Sequence, residues 1–526
     1  MSVFDNVQNN NPPRSSHRMS ESHKTSLDMG QLIPVCVGEV VPGDIHQIKN
    51  RSLIRFNPLV APIMHEISCC VRYFFVPYRL LWDEWEDFIT GGLKGDNTST
   101  LPVWTPFELN VGEGSLWDRL GFPVNTPAVA EHGAPIDFPK RAYNLIWNQY
   151  FMDEWIQDPL NIETNEVVKK VNWKKDYFAS ALISRQKGIA PALPIGGETS
   201  AVFDTLNLSQ ELHIAGTSGY SLGTLDGTIA SGTSAVSNIK AENLNGGSSI
   251  NDKIITENED LSSRLDNNTV NFGSATTFNV NDIRLAFSLQ RWMELNARGG
   301  SRYTEWLKCH FGVSPRDERL QRAEYIGGVK SNVIVSEVLQ TSETASSPQG
   351  NLAGHGLNYV DDFVGQHKAT EFGLIMGLMY VRPKAAYSQG IDRAWLKDTS
   401  LDFYNPAFAH MSEQEVYNAE IYMQAGAVDA NMETFGYQGR YDELRSKQDH
   451  YSGLMRTDFN YWHMGREFDE LPLLNSDFIE CDPTKRIFAV PTEPGLLVDS
   501  NTEWNSLRPI PKYGEPGLID HVYGRN

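Results

Sequence analysis

The sequence predicts a mainly β protein, an antiparallel β-sandwich or barrel interrupted by long loops, and three observations carry that reading. Ile67, Cys69, Val71, Tyr73 and Phe75 alternate with Ser68, Cys70 and Arg72, the period of two expected of a strand with one buried face. Upstream, Pro42-Gly43-Asp44 separates two further apolar runs, and proline with glycine makes a turn because one fixes φ and the other tolerates φ > 0. Ile45, Ile48, Leu53, Ile54 and Phe56 then continue in extended spacing. Strand, turn, strand, turn, strand within residues 27–77 is how an antiparallel sheet protein opens.

Ahead of these strands, residues 1–26 are polar and read as a flexible arm, either a frayed terminus or a partner-binding segment. Arg14, Arg18 and Lys24 are its bases, and they are the candidate nucleic-acid contacts. After the strands, Leu81, Trp85, Phe88 and Ile89 fall at helical spacing, with Gly91-Gly92 as the stop. Pro102, Pro106, Pro123, Pro127 and Pro135 punctuate a long structured connection. A second helix is expected near Pro139, where Tyr143, Trp147, Tyr150, Phe151 and Trp155 form an aromatic stripe of the kind that serves packing.

Composition changes sharply between 201 and 280. Of these 80 residues 38 are Gly, Ser, Thr or Asn, and nine acids face three bases. A segment so poor in apolar residues cannot bury a core of its own, so it is expected as an insertion outside the main body, a surface protrusion. Helices are expected around Leu285, Leu289, Trp292 and Met293, again over Ser301–Gly312, and from a capping box at Ser412-Glu-Gln-Glu415. Val329–Leu339 and Phe372–Val381 read as extended. Residues 471–526, with Pro472, Pro483, Pro491, Pro494, Pro509, Pro511 and Pro516, read as an extended, loop-like tail.

The chain of 526 residues carries a net charge of −21, which argues against a dedicated nucleic-acid clamp. Five cysteines, none in a C-x-x-C, speak against a disulfide framework or structural zinc and for synthesis in a reducing cytoplasm. No window approaches the ~18 apolar residues of a membrane span, and the first residues do not read as a secretory signal.

The search for catalytic motifs is negative: phosphate loop, nucleophile elbow and zinc-protease helix are all absent from the sequence. His65-Glu66 lacks a second histidine, and Gly354-His-Gly356 lacks the rest of a dinucleotide loop. His450, His463, Asp449, Asp458 and Glu467 could converge, but acids and histidines are numerous enough for such coincidences. No catalytic, cofactor or metal site is therefore assigned, and the chain reads as no enzyme.

Six runs together resemble one family. They are Lys24–Val35 (Lys-Thr-Ser-Leu-Asp-Met-Gly-Gln-Leu-Ile-Pro-Val), Tyr73–Trp82, Arg302–Val313, Gly373–Pro383, Phe435–Tyr441 and Tyr461–Phe468. In this order they resemble the major capsid proteins of the Microviridae, bacteriophages with single-stranded DNA, in their gokushovirus branch. The resemblance implies an eight-stranded antiparallel jelly roll whose long loop insertions contain short helices. It implies a virion structural protein assembling with itself, in the bacterial host cytoplasm, into a T=1 icosahedral capsid around a circular single-stranded DNA genome. A small basic DNA-binding protein and a host cell-surface receptor are the further partners expected, with the 201–280 insertion meeting the host. The alternative from another class is a β-sandwich carbohydrate-active enzyme, which would need a convergent carboxylate pair.

Overall fold

The strand that anchors the sequence reading, Ile67–Pro77, is buried on both faces rather than one. The reason is a third layer stacked on its outer face. The structure, a computed structural model, describes residues 14–92, 97–104, 111–124, 135–188, 280–298, 321–343, 349–409 and 413–512. Contacts divide the chain into two units, Met1–Lys187 with Glu294–Asn526, and Gly188–Met293. The expected 201–280 protrusion and the helix at Ser301–Gly312 lie outside the described residues.

In chain order the larger unit holds strands β1 (Ser15–Arg18), β2 (Glu21–Leu27), β3 (Ile33–Val40), β4 (Ile45–Phe56), β5 (Ile67–Pro77) and β6 (Glu324–Asn332). They are followed by β7 (Ile334–Leu339), β8 (Leu352–Lys368), β9 (Gly373–Pro383), β10 (Gln414–Tyr417), β11 (Thr434–Gln438) and β12 (Leu496–Arg508). One sheet runs β1-β12-β4-β8-β7, with β2 also on β12, and the other runs β3-β9-β5-β6. All these pairings are antiparallel. From β2 to β5 the chain changes sheet at every step, β5 and β6 stay side by side, and the chain then alternates again through β8, β9 and β12. Four strands, β2-β12-β4-β8, thus face four others, β3-β9-β5-β6, in the connectivity of a jelly roll.

Between the sheets lie Ile48, Ile54 and Phe56 of β4 and Val498 and Trp504 of β12, against Val71, Tyr73 and Phe75 of β5 and Ile375 and Met379 of β9. This core also holds a closed polar chain. The Asn50 amide donates to the Tyr73 hydroxyl at 3.0 Å, which pairs with the Thr502 hydroxyl at 2.8 Å, while Ser52 donates to Asn50 at 2.6 Å. With partners in place, these groups avoid the cost of an unsatisfied buried donor. On the other face of β5 and β9, Cys70, Phe74, Val76, Met376 and Leu378 pack on Tyr143, Trp147, Trp173 and Phe178. The aromatic stripe therefore serves packing, from the helix Phe138–Ile146 into the π turn Trp147–Phe151. Cys69 faces the inter-sheet core and Cys70 the outer layer.

The helix Trp85–Thr90 ends at Gly91 with φ 83°, and Val280–Arg298 is helical. Three expectations are corrected. Residues 15–18 and 21–27 are not a free arm but strands along β12, whose unpaired edge groups they satisfy. Their polarity is that of an edge strand. The tail is not loop throughout: Leu496–Arg508 lies between β4 and the β1/β2 edge, in the proline-free interval between Pro494 and Pro509. No helix begins at the capping box. Gln414 and Val416 point inward in β10, paired with β11, and the Glu420 carboxylate instead accepts from the Tyr417 amide at 2.8 Å as the helix Asn418–Ile421 starts.

Candidate nucleic-acid interface on the open sheet face

Among the described residues nothing packs over the outward side of β2-β12-β4-β8, a broad face of regular sheet. Burial alternates strictly along β4 and β12, so the outward positions can be read from the registers. One row across the sheet is Ser26, Leu497, Arg55 and Leu357; the next is Lys24, Asp499, Leu53 and Tyr359. Then come Ser22, Asn501, Arg51 and Asp361, followed by Glu503, Lys49 and Phe363. Arg18 lies across from Asn505, and Lys368 across from Ile45.

Two of the three bases singled out in sequence, Arg18 and Lys24, are thus brought onto one surface with Lys49, Arg51, Arg55 and Lys368. Arg14 sits apart, its guanidinium beside Gly43 in the turn before β4. Asp361, Asp499 and Glu503 are the outward acids, with Asp362 exposed at the β8 bulge. Six bases against four acids reverse the balance of a chain at −21.

Part of this charge is already paired. Lys24 lies 3.5 Å from Asp499, Lys49 2.7 Å from Asp361, and Arg51 2.9 Å from Glu503. The Lys49–Asp361 hydrogen bond raises the lysine above its ordinary range and lowers the carboxyl below its own. Such solvent-facing pairs are screened by water and salt and add little to stability. Among the described residues Arg55 and Lys368 have no ion pair, and the Arg18 guanidinium donates to the Ser20 hydroxyl at 3.3 Å without an acid partner.

Tyr359 and Phe363 stand among these bases at 59% and 63% exposure. Leu497, at 51%, extends the apolar strip. Exposed rings beside bases on a sheet form the surface on which single-stranded nucleic acid stacks, at ~1–3 kcal/mol per base. Sequence reasoning missed Lys368 because β8 is distant from β4 in the chain, and Lys49, Arg51 and Arg55 because nothing within β4 says which of its faces stays open. The available signal was alternation itself: Gln47, Lys49, Arg51 and Arg55 occupy every non-core position of β4 except Ile45 and Leu53.

The other sequence candidates do not assemble into a catalytic group. Asp449 pairs with Lys384 and Glu467 with Arg486, and His463 accepts the Gly465 amide through Nδ1 while its Nε2 meets the Met455 carbonyl. Among the described residues no group of three His, Cys, Asp or Glu is placed to hold a metal, and no helix is long and apolar enough to cross a membrane.

The family model described as "Capsid protein (F protein)" matches residues 5–518. The chain is 34% identical to the capsid protein VP1 of Chlamydia phage 1, over 96% of each chain. It is 32% identical to VP1 of Bdellovibrio phage phiMH2K, over 98% of this chain and 97% of that one. Against VP1 of Spiroplasma virus 4 the identity is 29%, over 98% and 97%. The relatives are structural proteins rather than enzymes, as the motif search implied. With β-sandwich, sequence runs and full-length relatives in agreement, this chain belongs to the F-type capsid proteins, the major capsid proteins of the Microviridae, in the company of gokushoviruses.

Proposed function

We propose that this capsid protein closes into a T=1 icosahedral shell around a circular single-stranded DNA genome, with the open sheet face turned toward the DNA. The single observation that supports this orientation is the reversal of charge on that face, coupled to exposed Tyr359 and Phe363. Arg18, Lys24, Lys49, Arg51, Arg55 and Lys368 would meet phosphates, and Arg14 would extend the contact at the turn. Three of these bases are held by acids, so the face positions DNA without condensing it. A separate small basic protein would supply the remaining charge.

The 201–280 insertion, which enters the chain between β5 and β6, is proposed as the outward protrusion that meets a host cell-surface receptor. Assembly would take place in the host cytoplasm.

Negative-stain imaging of purified protein tests the shell, with closed particles of uniform size expected. Titration with single-stranded DNA across a salt series tests the face. Each neutralised phosphate contributes ~0.7 to the slope, so the three bases of the face free of acids, together with Arg14, give a slope of about 3 in magnitude. The Arg18→Gln, Arg55→Gln, Lys368→Gln variant should lower it to below about 1. An unchanged slope in that variant refutes the assignment. Replacing 201–280 by a short Gly-Ser bridge should leave assembly intact and abolish attachment.

A further inference from the structure

The opposite face of the sandwich carries a second concentration of positive charge, gathered around a partly open cavity. A cavity of about 240 Å³ lies against the outer side of β5 and β9. Its charged lining is Arg72, Lys174, Lys175 and Arg382 against a single acid, Asp153. That acid is engaged with Lys175 at 2.6 Å. Arg382 donates one guanidinium nitrogen to the Asn172 carbonyl at 2.7 Å. The Arg72 guanidinium makes no hydrogen bond or ion pair among the described residues. It lies 5.9 Å from the Phe151 ring and 5.8 Å from the Tyr380 ring, and Arg382 lies 5.6 Å from that same Tyr380 ring.

Two guanidinium groups thus lie against one buried ring, and among the described residues neither pairs with a carboxylate. Arginine carries five N–H donors in a rigid fork that matches a tetrahedral oxyanion. Cation–π contact orients the fork but leaves its in-plane donors unused. A volume several times one water's ~30 Å³ accommodates an oxyanion with part of its carrier.

From this geometry we infer that the cavity is a binding site for a phosphate-type oxyanion, held by Arg72 and Arg382 with Lys174 at the rim. Tyr380 packs against both guanidinium groups and Phe151 against that of Arg72. The site is separate from the open sheet face, which lies across the full thickness of the sandwich, so it is not the proposed DNA contact.

The test is titration of the purified full-length protein with inorganic phosphate, followed by phosphorus NMR line broadening, with acetate as a carboxylate control. Saturable binding of phosphate over acetate is expected. Arg72→Gln should weaken it at least tenfold, as loss of a charge-assisted fork does. Arg445→Gln, outside both the cavity lining and the open sheet face, should leave it unchanged. Lys174→Gln alters an exposed side chain only and should weaken binding several-fold with the fold intact, so a misfolded Arg72 variant does not decide the matter. Equal affinity in wild type and Lys174→Gln, acetate binding as tight as phosphate, or no saturable binding overturns the proposal.

Discussion

Lowering the pH should destabilise this protein through one buried imidazole, and the size of the effect follows from its contacts. His46 is fully buried on β4. The Trp504 indole N–H, which can only donate, points at His46 Nδ1 at 3.0 Å, and the Ser506 hydroxyl lies 2.7 Å from the same nitrogen. Nδ1 must therefore be unprotonated, which leaves the proton on Nε2, 3.4 Å from the Asp44 carboxylate. A second proton would sit against the indole N–H. Burial pushes the pKa down from 6.5 to about 4; Asp44 opposes that shift, while Arg508 and His367 add to it.

The folded pKa lies below the unfolded one, so the unfolded chain binds the proton more readily. The stabilising contribution is complete above pH 6.5 and is lost as pH falls from 6.5 toward 4. A drop of about 2.5 units corresponds to about 3 kcal/mol. The perturbation is acidification of wild type beside His46→Gln, which cannot titrate. Urea unfolding followed by tryptophan fluorescence gives both stabilities at each pH. Effects of carboxylates other than Asp44 are common to the two proteins and cancel in the difference. That difference should fall by about 3 kcal/mol between pH 7.5 and pH 4. A difference flat across this range would refute the tautomer argument and the neutral state assigned to His46.

Three further outcomes are expected. Gly38→Ala would place a methyl 2.6 Å from the buried Trp504 ring and should cost about 1–3 kcal/mol in urea unfolding, since the ring has nowhere to move. Cys36, Cys69, Cys70 and Cys481 are buried, with burial raising the thiols of Cys36, Cys69 and Cys481, so mapping of alkylation should find all four unreacted until the protein unfolds. Ending the chain at Gly495 removes β12 from between β4 and the β1/β2 edge; no cooperative unfolding transition should remain by circular dichroism.

Wherever local pattern and burial agreed, the sequence alone determined the outcome. The opening strands, the turn at Gly43, the helix stop at Gly91 and the aromatic helix at Phe138 were all legible because each is decided by neighbours within a few residues. The catalogue of absent motifs and the six family-like runs were legible for the same reason. The tertiary structure decided the rest. β12 escaped notice because its inward positions include Ser500, Thr502 and Ser506, polar residues that belong inside only once Asn50, Tyr73 and His46 stand opposite to receive them. β1 and β2 look like a solvated arm until β12 offers an edge. The bases of the open face lie on four strands spread between Arg18 and Lys368, and the cavity arginines, Arg72 and Arg382, are 310 positions apart. Charge at that separation has no periodicity to read. Only the pairing of strands, which satisfies backbone groups first and carries side chains along, sets those residues side by side.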